Sequence, residues 1–333
     1  MSKEWSIFLC SGAEHLKEKL ENNGLKVYQS GLNHDGKRFF PNTDLYTRVE
    51  DVEELGGKNV LVIQSATGSG DLDEEKYTTS DRLWETLQVL DILSNPLRVR
   101  EVGHKTYEYE MLERPKKVYV MYLFTPFALQ DKAFKTGEVN SAKLSLELTL
   151  MKSDKVILID PHPPRNLEWM SKLIDDGKVE MLSAVPLLIE KVREISGIDD
   201  FSIVGPDEGE EARIGVRGMR KYRKDSFHVE IMGEGIDAKG KNFIVIDDLT
   251  KSGSTLLKAR EFLLKRGAKE VYCATTHVLP MMGKGESLLL ELVKKLNRKF
   301  VTTNTIRTRT FEEIYRDLMV DITQLILDYC RAG

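Results

Sequence analysis

The feature that most narrows the possible folds is a repeated alternation of short apolar runs with amphipathic stretches. The runs are SIFLC (6–10), NVLVIQ (59–64), KVYVMYLF (117–124), KVILID (155–160), FSIVG (201–205), NFIVID (242–247) and EVYCATT (270–276). Val, Ile and aromatic residues dominate them, as expected of strands buried on both faces of a sheet. Between them, SDRLWETLQVLDIL, SAKLSLELTLM, VPLLIEKVREIS and STLLKAREFLLKRG carry apolar residues at helical spacing and end in Gly or polar residues. Strand and helix in alternation imply an α/β fold of doubly wound domains with mainly parallel sheets.

At 333 residues the chain exceeds what one hydrophobic core usually serves, so two domains are expected. The division predicted is 1–152 plus 310–333 for the first and 153–309 for the second. The segment SNPLRVREVGHKTYEYEMLERPK interrupts the alternation with two prolines and many charges, and reads as an inserted loop or hairpin. TFEEIYRDLMVDITQLILDYC reads as one long closing helix that packs back on the first domain.

A formal net charge of −4 argues against nucleic acid as the main partner, because backbone-tracking domains carry a basic excess. No apolar run approaches the roughly 20 residues that span a bilayer, and MSKEWSIFLC lacks a signal-peptide core, so a cytoplasmic protein without membrane contact is expected. Cys10, Cys273 and Cys330 are widely spaced in apolar segments, which suits reduced packing residues.

The densest chemistry lies in NFIVIDDLTKSGSTLLKAREFLLKRG. A strand ends in Asp247 and Asp248, and Thr250-Lys251-Ser252-Gly253-Ser254-Thr255 opens a helix. Ligands of open α/β sheets bind beyond the carboxyl ends of strands. Small residues let backbone N–H groups converge there, and a helix N-terminus favours negative charge, so this loop suits a phosphate monoester. The two carboxylates can bind ribose hydroxyls or hydrated Mg²⁺. A plain strand-turn-helix connection, with Asp capping the helix, is the alternative. The spacing is not that of a Walker A loop.

Residues 247–255 resemble the phosphoribosyl-binding signature of type I phosphoribosyltransferases and of ribose-phosphate diphosphokinases. Further segments are similar to the second group. Gln130-Asp131-Lys132, followed by Ser141-Ala142-Lys143-Leu144, looks like its nucleotide-binding segment, and Asp160-Pro161-His162 like its strand-end Asp-x-His, whose histidine helps hold the metal–nucleotide. Asp207-Glu208-Gly209 resembles its pyrophosphate loop, with Asp207 also near the metal, and Thr303-Asn304-Thr305 its late Thr-Asn-Thr. Lys221-Tyr222-Arg223 stands where the family has its catalytic Lys-x-Arg. Phe40, Asn42 and Asp44 correspond to the early loop that reaches a neighbouring subunit's adenine.

The resemblance implies two phosphoribosyltransferase-like domains, ATP and ribose 5-phosphate as substrates, Mg²⁺ as cofactor, and a homo-oligomer with shared active sites. The reaction implied is transfer of pyrophosphate from ATP to the C1 hydroxyl of ribose 5-phosphate. Three positions depart from the family pattern: Leu129 replaces an Arg, Ser254 replaces the second Gly of Gly-Gly-Thr, and the pyrophosphate loop reads Asp-Glu-Gly-Glu. The other readings are a silent nucleotide-binding regulatory homologue and, with less sequence support, a phosphoribosyltransferase. Presence of both Lys221-x-Arg223 and Asp247-Asp248 favours the enzyme.

Overall fold

The computed structural model describes residues 5–206, 220–223, 229–232, 236–281 and 284–332, and for 220–223 and 229–232 the backbone alone. In the first half, β1 (Trp5–Leu9), β2 (Lys26–Gln29) and β3 (Asn59–Ser65) are followed by a hairpin of β4 (Leu97–Gly103) and β5 (Thr106–Met111), then by β6 (Lys117–Phe124), β7 (Lys155–Ile159) and β8 (Val179–Leu182). Apart from the hairpin they form one sheet in the order β2-β1-β3-β6-β7-β8, and all its pairs are parallel. Every residue of β1 is buried, which explains a run without polar alternation.

The second half contains β9 (Ser202–Val204), β10 (Arg220–Arg223), β11 (Val229–Met232), β12 (Asn242–Thr250), β13 (Glu270–Val278), β14 (Phe300–Thr303) and β15 (Met319–Val320). Its parallel sheet runs β9-β12-β13-β14-β15, and β10 pairs with β11 as a separate antiparallel ribbon. Helices cover both faces of each sheet. Val185, Leu188 and Val192 of the helix Val185–Ser196, for example, pack on Ile244, Ile246 and Ala274. Fully burying an aliphatic side chain of this kind contributes about 1.5–3 kcal/mol.

Two expectations change. The division expected at 152 falls inside the first sheet, because β7 and β8 hydrogen-bond to β6 and to each other, so that sheet extends to Leu182. The closing segment is not one helix. A π-helical turn at Thr310–Ile314 and a 3-10 turn at Arg316–Leu318 lead into β15, and the helix runs only over Thr323–Ala332. The physical reason is tertiary: Met319 and Val320 pair with Thr302 and Thr303, and the Asn304 side chain receives the Ile322 N–H and donates to Asp321. Ile322, Ile326, Leu327 and Cys330 then pack on Trp5, Ile7 and Leu9, which returns the chain end to the first half. The three cysteines are buried free thiols. Among the described residues, no helix is long and apolar enough to cross a membrane.

Candidate active site

The carboxyl ends of β7 and β12, one from each sheet, meet between the halves. At the end of β12, Asp247 and Asp248 are both buried. Asp247 accepts the Asp248 N–H at 3.1 Å, and Asp248 accepts the Leu249 N–H at 2.8 Å. Across the interface, Nδ1 of His162 lies 2.6 Å from Oδ2 of Asp248. With Nδ1–H donating to that carboxylate, Nε2 keeps its lone pair, the arrangement in which a carboxylate orients an imidazole ligand.

The loop after β12 is a tight turn into the next helix. Thr250 Oγ1 accepts the Gly253 N–H at 2.9 Å and closes the turn. Gly253 adopts φ +67°, and a Cβ there would lie 2.1 Å from Leu292, so glycine is required on both backbone and steric grounds. The turn opens directly into the helix Ser254–Lys265, which has no side-chain N-cap and no acidic residue in its first turn. Ser252 and Ser254 are exposed, and Lys251 and Thr255 half-buried. A positive helix end edged by hydroxyls can take a phosphate.

A buried polar network fixes the two halves to each other behind this cluster. His277, at the end of β13, is fully buried; its Nε2–H reaches the carbonyls of Ile159 at 3.1 Å and Asp160 at 3.2 Å, while Nδ1 faces Thr305 Oγ1 at 2.9 Å. Burial lowers its pKa to about 4, so the imidazole is neutral. Asp160 accepts the Thr276 hydroxyl at 2.7 Å and the Ala184 N–H at 2.9 Å, and burial raises its pKa. Its φ of +36° starts the turn that carries His162 across to Asp248. Sequence reading missed the part played by His277 and Thr276; the available signal was a polar Thr-Thr-His ending an otherwise apolar strand.

The remaining candidates fall in three places. Gln130, Asp131 and Lys132 follow β6: Gln130 accepts the Ser141 hydroxyl at 2.6 Å, and the Asp131 carbonyl accepts Asn140 Nδ2 at 2.6 Å and Trp169 Nε1 at 3.1 Å. Lys132 stands over the exposed ring of Phe134, and Leu129 is also exposed. Phe40, Asn42 and Asp44 lie on the first half, where Phe40 packs edge-on to Tyr46 and Asn42 donates to Asp44 at 2.7 Å. Their contacts are with that loop and not with the His162–Asp248 pair. Lys221 and Arg223 lie on β10, whose side chains are outside the described residues, as are Asp207, Glu208 and Gly209. Among the described residues, no group of three or more His, Cys, Asp or Glu side chains forms a metal cage. At this junction Asp247 and Asp248 offer the carboxylate oxygens that Mg²⁺ favours beside phosphate and water, whereas the His162 imidazole would add a nitrogen, a ligand Mg²⁺ takes less readily.

A second strand-end cleft, of about 710 Å³, opens at the first sheet, bordered by Ser11, Gly12, Arg38, Gly70, Arg82 and Arg307.

Residues 215–303 match the phosphoribosyl transferase domain family. The chain is 28% identical over 311 residues to the ribose-phosphate pyrophosphokinase of Thermococcus kodakarensis, covering 91% of this chain and 94% of that one. It is 26% identical over 321 residues to that of Pyrococcus abyssi, covering 94% and 96%. The phosphoribosylpyrophosphate synthetase of Mycobacterium smegmatis shares the fold, with a TM-score of 0.70 over 99% of this chain and 98% of that one at 22% identity.

Proposed function

The chain belongs to the ribose-phosphate pyrophosphokinase family, and from that premise we propose that it is an active enzyme that transfers the β,γ-pyrophosphoryl group of ATP to the C1 hydroxyl of ribose 5-phosphate. AMP and phosphoribosyl pyrophosphate are the products. The observation that carries the reading is the junction of an open phosphate loop with the Asp247–Asp248 pair and, 2.6 Å from Asp248, the His162 of the other half. That junction gives a sugar phosphate and a nucleotide one meeting point.

In this reading the N-terminus of the helix Ser254–Lys265 and the hydroxyls of Ser252, Ser254 and Thr255 hold the 5-phosphate, while Asp247 and Asp248 accept the ribose hydroxyls. The segment Gln130-Asp131-Lys132 faces the nucleotide, and Phe40, Asn42 and Asp44 serve the adenine of another copy in a homo-oligomer. The C1 oxygen attacks the β-phosphorus in line as the bond to the α-phosphate oxygen breaks. Such a transfer needs positioning and charge neutralisation rather than covalent help. Lys221 and Arg223 supply cations to the migrating phosphates. Mg²⁺, with His162 and Asp207 as its protein contacts, would neutralise the triphosphate.

The test is AMP release from ATP with and without ribose 5-phosphate: release that depends on the sugar phosphate is expected. Leu129, an exposed aliphatic residue where the resembled family pattern has an Arg, favours a second reading. If the protein binds ATP yet releases no AMP with any nucleoside triphosphate, it is a nucleotide-binding regulatory homologue.

A further inference from the structure

Thr303-Asn304-Thr305, at the end of β14, is buried throughout. The Asn304 side chain serves the fold through Ile322 and Asp321, and its carbonyl accepts His15 Nε2–H at 2.8 Å. The two threonine hydroxyls have another task. Thr303 Oγ1 accepts the Thr305 N–H at 3.1 Å and donates to the Thr276 carbonyl at 2.7 Å. Thr305 Oγ1 lies 3.0 Å from the same carbonyl and 2.9 Å from Nδ1 of His277. On its other side the His277 ring meets two acceptors, the Ile159 and Asp160 carbonyls, at 3.1 and 3.2 Å. A neutral imidazole has one N–H and one lone pair. Carbonyls only accept, so the N–H is at Nε2 and Nδ1 requires a donor. With Thr303 supplying the Thr276 carbonyl, the Thr305 proton is available to Nδ1, and it fixes the tautomer and the ring plane of His277.

His277 in turn holds the turn that carries His162. Asp160 has φ +36°, a left-handed conformation uncommon for a residue with a Cβ and kept only where its surroundings fix it. Its N–H donates to the Leu182 carbonyl at 3.0 Å, and its carboxylate accepts the Thr276 hydroxyl and the Ala184 N–H. Those bonds anchor the residue itself. Its carbonyl, which accepts from His277, sets the peptide plane that leads into Pro161. The proline ring holds its own φ at about −65°, so the tilt of that plane passes to His162 with little slack. His277 pairs in register with Leu249, the residue after Asp248, on the neighbouring strand β12. Both sides of the His162–Asp248 contact are therefore set from one sheet, Asp248 directly and His162 through His277.

We propose that Thr305 is a positioning residue for His162: its hydroxyl, acting through His277 and the Asp160 carbonyl, holds the His162 ring with Nδ1–H on Asp248 and the Nε2 lone pair for the nucleotide. The catalytic consequence rests on the proposed pyrophosphoryl transfer, whereas the ring geometry does not. A misplacement of about 1 Å near reacting groups costs up to about 10²-fold in rate, and a turn displaced at one remove should cost on the order of 10-fold.

Thr305→Val removes the proton and keeps the shape of the side chain, and Thr305→Ser keeps the proton. Long-range ¹H–¹⁵N spectra of the full chain labelled with ¹⁵N-histidine, taken about two pH units above the ordinary histidine pKa, report the tautomer of each ring. His162 and His277 are assigned by the signals absent from His162→Gln and His277→Gln. In the parent, His277 should be the Nε2–H tautomer and His162 the Nδ1–H tautomer; an Nδ1–H ring at His277 would overturn the proposal without any variant. In Thr305→Val, His162 should lose its Nδ1–H preference and kcat/KM for ATP should fall on the order of 10-fold, while ribose 5-phosphate binding by calorimetry stays within about twofold. Thr305→Ser should match the parent in each respect. An unchanged His162 signal in Thr305→Val overturns the proposal whatever the rate, as does a loss of ribose 5-phosphate binding equal to the loss in kcat/KM, or a Thr305→Ser variant as impaired as Thr305→Val. If the parent itself releases no AMP, the proposed activity fails while the tautomers still decide the role of Thr305.

Discussion

The two sheets end in loops of similar make-up and opposite use. After β3 comes Ala66-Thr67-Gly68-Ser69-Gly70-Asp71 and then a helix; after β12 comes Leu249-Thr250-Lys251-Ser252-Gly253 and then a helix. In the first, Asp73 accepts the Gly70 N–H at 3.0 Å and Arg82 at 3.1 Å, and beside it Glu85 accepts the N–H of Ser11, after β1, at 3.1 Å and its hydroxyl at 2.5 Å. The helix start is closed by a reciprocal capping box of Thr78 and Asp81. Gly12 admits no side chain, because a Cβ would lie 2.3 Å from the Ser65 carbonyl. In the second loop the helix start has no side-chain cap and no first-turn acid. Of these two helix starts, only the second lacks a capping carboxylate from the protein itself.

The contrast can be broken most severely at Gly253. Gly253→Val puts a β-branched residue at φ +67° against Leu292, costs at least about 3 kcal/mol, and should weaken ribose 5-phosphate binding by on the order of 10²-fold by calorimetry. Lys221→Ala should lower kcat and kcat/KM together by on the order of 10²-fold while directly measured substrate binding holds. A variant as fast as the parent would move the catalytic cation elsewhere.

The interface between the halves should show in a pH profile. His277 is held neutral with a pKa of about 4, below the 6.5 of an exposed histidine, so the unfolded chain binds the proton first. Its contribution is complete above pH 6.5 and is lost as pH falls towards 4, at about 1.4 kcal/mol per unit and about 3 kcal/mol across the window. Asp160, with its pKa raised, acts in the opposite sense, so the quantity to measure is the difference between the urea-unfolding profiles of the parent and His277→Phe. Parallel profiles would remove the imidazole from this role.

Milder changes sharpen the comparison. Glu85→Gln, which weakens the buried acceptor of Ser11 beside the first-half cleft, should cost about 1–3 kcal/mol of stability and leave the KM for ribose 5-phosphate unchanged. A rise in that KM with stability intact would make the first cleft part of the sugar-phosphate site. Leu129→Arg should have the smallest effect, lowering the KM for ATP several-fold, as about 1 kcal/mol from an exposed cation allows.

Much of this was legible in order along the chain. The apolar runs at 6–10, 59–64, 117–124 and 242–247 are strands, and the interruption near 94–116 is a hairpin. Short or half-polar strands were not legible: Lys26–Gln29, Val179–Leu182 and Met319–Val320 lack long apolar runs and are strands because a neighbour pairs with them. Around the candidate site, the acidic strand end and the tight turn into the next helix could be read from local chemistry. The buried state of Asp248 and the function of His277 could not, because both depend on a partner more than 80 residues away.

The sequence by itself determined the two α/β halves and the hydroxyl-rich strand-turn-helix loop at residues 250–255, since periodicity and hydroxyl content are properties of neighbouring residues. Only the tertiary structure decided which of two similar loops stays open, where the first sheet ends, and that His162 meets Asp248. Those outcomes turn on which carboxylate or carbonyl from a distant segment reaches a donor first, and burial makes each such pairing obligatory once the halves close.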